Sequence, residues 1–186
     1  MSERQYGTLK EIRRDHVARY EFARDLLPEG LKILDAACGC GYGSYILSQK
    51  AANVHGVDAS LEAIKYAQIN YNKGNTLFTQ ERFPCHFRDA DVAISFETIE
   101  HIKDDYEFLC ELRLCAGRLI CSVPNQEKLP FTKERFPFHF KHYTKEGFNS
   151  LLDRAGWRVV KWYGQEGTNS SVEPDINGRT LIADCE

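Results

Sequence analysis

The 186-residue chain has no apolar run long enough to cross a bilayer, which takes about 20 residues. Residues Met1 to Lys10 are polar and lack the apolar centre of a secretory leader. There is no basic excess: 24 Lys and Arg stand against 27 Asp and Glu, for a formal net charge of -3. Binding to nucleic-acid phosphates needs a basic footprint, so a nucleic-acid partner is not expected, although a local basic patch stays open. Repeats, low-complexity tracts and linkers are missing. So is any paired CxxC spacing, and several of the seven cysteines sit inside apolar runs, where a free thiol packs as a small hydrophobe. These absences lead to the expectation of one domain over residues 1–186, reduced, cytoplasmic and free of disulfides.

What is present is alternation. Residues 11–27 put Ile12, Val17, Tyr20, Ala23, Leu26 and Leu27 on one helical stripe, stopped by Pro28 and Gly30. A buried strand over 32–38 leads into Gly39, Gly41 and Gly43, and a helix runs from about Tyr42 to Ala51. A strand over 53–58 follows, then Ser60 as the cap of a helix over 61–71. Strands are expected over 76–80, 91–97 and 118–123, with a helix over 104–115 before the last of these. Thr144 caps a further helix that Gly156 stops. Two final strands, 158–165 and 179–185, have no helix between them and so should run antiparallel. The pattern predicts an α/β fold: a doubly wound seven-stranded sheet, mostly parallel with an antiparallel last strand, and helices on both faces. Residues 124–143 form a long irregular stretch whose aromatics argue against disorder and for a functional loop.

In such a sheet ligands bind beyond the carboxyl ends of the strands. The first strand ends in Asp35-Ala36-Ala37-Cys38-Gly39-Cys40-Gly41, where glycines allow close backbone approach to a ligand. Asp58 ends the second strand, where a carboxylate can accept both hydroxyls of a ribose. Asp35 would repel the pyrophosphate of a dinucleotide, and Ser44 takes the last glycine position of a GxGxxG reading. An acid beside the loop suits S-adenosylmethionine, which carries an ammonium and a sulfonium but no phosphate. A glycine turn without any ligand is the plainer reading of the loop alone; its strand–turn–helix context and the following acid favour a cofactor site.

Six segments in order, HVARYEFA, ILDAACGCGYGS, GVDASLEAIKYA, VAISFETIEHI, SVPN and PFHFKHYTKEGFNSLL, resemble the class I S-adenosylmethionine-dependent methyltransferases. The likeness is to the small bacterial-type branch that is similar to ubiquinone-biosynthesis O-methyltransferases. It implies a Rossmann-like domain with S-adenosylmethionine as cofactor. It implies that Asp35, Ala36, Gly39 and Gly41 line the methionine part, that Asp58 holds the ribose, and that Ala59 lies near the adenine. Phe96, Glu97 and Thr98 would close beside the methyl group, and Arg19 would take the cofactor carboxylate. The family's acid after the third strand is replaced by Thr79-Gln80-Glu81, so Gln80, or Glu81 by a one-residue shift, would meet the adenine amino group.

Methyl transfer to a hydroxyl or amine can need a general base, and histidine suits that task near neutral pH. The candidates are His139 and His101, with His142 beside them in FPFHFKHYT. Each has a structural alternative: His101 as a residue opening a helix, His139 and His142 as loop residues packed by Phe136, Phe138, Phe140 and Tyr143. Cys85, His86, His139 and His142 could in principle hold tetrahedral zinc, but nothing in their spacing demands it and no metal site is expected. The expected reaction is methyl transfer to an oxygen or nitrogen of a small-molecule acceptor, a sugar or other metabolite. The rivals are a non-catalytic cofactor-binding partner protein, a nicotinamide-dependent reductase, and a nucleic-acid methyltransferase, for which no base-flipping motif is seen. Such a minimal domain is also open to pairing with a copy of itself.

Overall fold

The computed structural model describes residues 6–186. Helix α1 (Arg14–Leu26) precedes strand β1 (Lys32–Ala36), α2 (Tyr42–Leu47), β2 (Asn53–Asp58), α3 (Leu61–Asn70) and β3 (Thr76–Gln80). Strand β4 (Ala90–Ser95), a short 3-10 turn (Ile99–His101), α4 (Asp105–Cys115) and β5 (Ala116–Pro124) follow. The chain ends with α5 (Lys145–Arg154), β6 (Val159–Gln165), β7 (Glu173–Pro174) and β8 (Thr180–Cys185).

The strands form one sheet in the order β3-β2-β1-β4-β5-β8-β6-β7. Strands β1 to β5 pair in parallel, and β8 inserts antiparallel between β5 and β6. The sheet therefore has eight strands, where the sequence leads to seven. The extra one, β7, pairs with β6 only at Tyr163–Pro174 and Gly164–Glu173. A two-residue edge strand containing proline has no periodicity to read, and proline is tolerated there because the edge needs no ladder donor.

Period-two alternation builds both faces. Ile33, Val54, Ile94, Ile120 and Ile182 point into a layer with Val17 and Tyr20 of α1, Ile46 of α2 and Ile64 of α3. Their neighbours Leu34, Ala93, Leu119 and Ala183 point the other way, onto Leu109 and Leu112 of α4 and Leu152 of α5. The helices thus cover both faces. The caps form as expected: Ser60 Oγ accepts from the Ala63 N–H at 3.3 Å, and Thr144 Oγ1 from the Gly147 N–H at 3.0 Å. No helix is long and apolar enough to cross a membrane among the described residues.

This topology brings the carboxyl ends of β1, β2, β4 and β5 to one rim. The 3-10 turn after β4 and the loop between β5 and α5 are joined over it: the Phe140 N–H donates to the Glu100 carbonyl at 2.8 Å. An isolated parallel bridge, Asn125 to Tyr143, closes the base of that loop.

Candidate active site

After β1 the backbone turns through Ala37, Gly39 and Gly41 with φ of 62°, 55° and 87°. A Cβ on Gly41 would stand 2.5 Å from the Ala67 Cβ, so only glycine lets the loop lie this close to α3. Asp58 fixes the loop from the side: its carboxylate accepts the Gly39 N–H at 3.1 Å and the Ser60 N–H at 2.8 Å. A carboxylate offers about four lone-pair sites in all, which suits it to holding a vicinal diol as well as backbone donors.

Beneath the loop, Asp35 is wholly buried and accepts hydroxyl bonds from Ser44 at 2.6 Å and Tyr20 at 3.1 Å. Burial, opposed by those two bonds and helped by the Asp58 charge, pushes its carboxyl up to about 6. Tyr20 meets Phe96 and Tyr42 edge-on at 5.1 and 5.6 Å.

A second polar group lies where α1 meets β4. Arg19 is 1% exposed; its guanidinium donates to Gln165 Oε1 at 2.6 Å and stands 3.8 Å from the Glu97 carboxylate. Its Nε and Nη2 are buried without a hydrogen-bond partner, as is Nε2 of His16. Burial raises the Glu97 carboxyl, but Arg19, His16 and Arg13 outweigh it and hold the group well below the usual carboxylate range. For His16, burial and the Arg19 charge push its pKa far down, so the ring is neutral at pH 7. Glu97 sits at φ 50°, a strained conformation for a non-glycine residue that aims its side chain between Arg19 and Ser122.

The third group is made of histidines. Nδ1 of His139 lies 2.7 Å from Nε2 of His142, and Nδ1 of His142 lies 2.6 Å from the Leu129 carbonyl. His101 Nδ1 reaches the Phe138 carbonyl at 3.1 Å, and the His101 and His139 rings meet edge-on at 4.5 Å. Phe136 stacks on His139 at 5.2 Å. Burial lowers the pKa of His142.

All three groups border one cavity of about 1080 Å³. Residues 8–161 match the methyltransferase-domain family. The chain belongs to that family. A probable S-adenosylmethionine-dependent methyltransferase of Mycolicibacterium smegmatis is 28% identical over 73% of this chain and 55% of its own length. A ubiquinone biosynthesis O-methyltransferase of Cereibacter sphaeroides is 32% identical over 60% of this chain and 50% of its own length. The methyltransferase domain here thus spans about half the length of these curated relatives. A solved S-adenosylmethionine-dependent methyltransferase from Thermotoga maritima, described as a possible histamine N-methyltransferase, shares the fold with a TM-score of 0.74 at 18% identity, over 93% of this chain and 89% of that one.

Of the residues picked from the sequence, Gly39, Asp58, Ala59, Phe96, Glu97, Thr98, His101 and His139 line the methyltransferase domain's cavity. Five others do not. Asp35 faces Ser44 and Tyr20 behind the loop, and Ala36 points into the core against the α4 side. Gly41 lies against Ala67, and Arg19 sits under the wall behind Glu97. Gln80 is exposed and donates to the Ala59 carbonyl at 3.2 Å, bracing the residue after Asp58. The four residues weighed for zinc are not brought together: Cys85 Sγ sits 3.6 Å from Cys115 Sγ, and the His86 side chain is 93% exposed beside Glu81. Among the cavity residues that sequence reasoning passed over are His16 and Glu100. Both lie inside segments that carry the family likeness, HVARYEFA and ETIEHI, and that position was the available signal.

Proposed function

We propose that this domain moves a methyl group from S-adenosylmethionine to an oxygen or nitrogen of a small-molecule acceptor. The observation that carries the reading is Asp58, held by two backbone N–H groups at the lip of the glycine loop and turned to the cavity. With Asp35 behind it, this end of the cavity is acidic and suits a cation rather than a pyrophosphate. The buried, unpartnered His16 Nε2 borders the cavity and is a polar group that an amino-acid moiety could satisfy, with Arg19 behind Glu97 adding positive charge to that wall. When bound, the cofactor supplies an electrophilic methyl on sulfur.

The chain's own part is placement. Tyr20 and Phe96 form an apolar wall, and Glu97 and Thr98 stand between the cofactor end and the histidines. Holding the reactants in line can account for much of the rate. The histidine end carries Phe136 and Phe138, and Arg135 and Arg179 also line the cavity, a lining that suits a ring-bearing or anionic acceptor. His139 faces that end and is the candidate to take the acceptor's proton. Calorimetric titration with S-adenosylmethionine, S-adenosylhomocysteine and NADH tests the reading. Binding of the first two alone supports it, and binding of NADH alone, or of none, overturns it.

A further inference from the structure

The histidines at the acceptor end are fixed in one tautomer by backbone carbonyls. A carbonyl only accepts, so Nδ1 of His101 carries the hydrogen it gives to Phe138, and Nδ1 of His142 carries the one it gives to Leu129. A neutral His142 then offers Nε2 as an acceptor, which makes Nδ1 of His139 the donor across the 2.7 Å bond. With Nδ1 engaged in each ring, Nε2 is the atom of His101 and of His139 that would meet a cation. Glu100, fully buried next to His101 on the 3-10 turn, completes the group. One ligand atom from each of Glu100, His101 and His139 lies within 4.8 Å of the other two, and all three residues border the cavity.

We propose that Glu100, His101 and His139 bind one divalent first-row transition-metal ion at the acceptor end of the cavity. Two imidazoles and a carboxylate form the donor set of sites that keep positions open for substrate. Donors on one ion at about 2.1 Å stand about 3.4 Å apart in a tetrahedron, so the side chains must draw in by about an ångström. The supports such ligands need are present: an N–H from each histidine to a fixed acceptor, and the Phe140 N–H on the Glu100 carbonyl holding turn and loop together. Phe136 against His139 and His142 shields one side from water. Resting on the acceptor placement proposed above, an ion here would bind an acceptor oxygen and lower the pKa of its hydroxyl so that its proton passes to solvent water, and His139 would act as ligand rather than as the proton's destination.

The test is titration of chelator-treated protein with cobalt(II), followed by visible absorption, with zinc(II) competition measured by calorimetry. The expected result is one cobalt per chain, weak d–d bands and no intense thiolate charge-transfer band, because no cysteine is a ligand. H101A and H139A should each weaken cobalt binding at least tenfold, while C85S and C115S leave it unchanged. H101A changes a half-buried side chain, and circular dichroism together with S-adenosylhomocysteine binding checks that both histidine variants are folded. Absence of saturable binding, equal binding in the folded histidine variants, or a thiolate band lost in C115S each overturns the proposal. Cobalt binding without S-adenosylhomocysteine binding would instead defeat the cofactor reading and leave the metal site standing.

Discussion

Asp35→Asn should stabilise the fold at neutral pH and weaken the cofactor site in the same stroke. The buried carboxyl is pushed up to about 6 from an ordinary value of 3.8. A raised value means that the native state holds the proton more tightly than the unfolded chain does. The contribution to stability is therefore complete below pH 3.8 and is lost as the pH climbs through 6. At 1.36 kcal/mol per unit, the parent loses about 2–3 kcal/mol between pH 4 and pH 7.5 that an asparagine does not lose. The amide oxygen can still accept one of the two hydroxyls, and Ser44 can turn to accept from the amide nitrogen. Urea unfolding of both proteins from pH 4 to 7.5 isolates the effect, since other carboxylates cancel in the difference. The variant's advantage should grow by that amount across the range. An advantage independent of pH would show that Asp35 does not titrate as its burial requires. Affinity for S-adenosylmethionine should fall in the variant, because the negative charge beneath the glycine loop is gone.

Asp58→Ala removes both clamps on the glycine loop and the acceptor for the ribose; calorimetry should find affinity for S-adenosylmethionine reduced roughly 100-fold, about 2.7 kcal/mol, with an unchanged circular dichroism spectrum. Gly41→Ala forces a Cβ to 2.5 Å from Ala67 at φ 87°, and urea unfolding should show a loss of about 1–3 kcal/mol. His139→Ala should lower turnover far more than cofactor affinity, and normal turnover would return the residue to a packing role. Arg118→Ala leaves the buried Asp184 without its two 2.8 Å bonds, and the melting temperature should drop by a few degrees.

Most of the fold was readable because it depends on local chemistry. Buried runs such as 33–36 and 92–95 are mostly apolar stretches in the sequence, and Ser60 and Thr144 make the bonds their positions foretell. Ends were harder. The first helix begins at Arg14 rather than residue 11, with no side-chain cap at Arg13, and α2 stops at Leu47 because the chain continues in turns to residue 50. The acid at the end of β2 was legible from its place after a strand. The grouping of Glu100, His101 and His139 was not, because the path of the chain through α4, β5 and the loop after it decides it rather than any spacing. His16 was overlooked because a histidine beside the apolar stripe of a helix reads as packing; its unpartnered Nε2 is visible only in three dimensions.

The insertion of β8 between β5 and β6 has a consequence for the order in which the protein comes into being. A nascent chain that has not yet reached Thr180 has β5 with an open edge and β6 with no strand to join it to the sheet. Arg179 and Thr180, at the start of that strand, also border the cavity. The part that carries Asp58 needs none of this strand, whereas the acceptor side closes only when β8 slides between β5 and β6, so one wall of the cavity waits on a strand made after both of its neighbours.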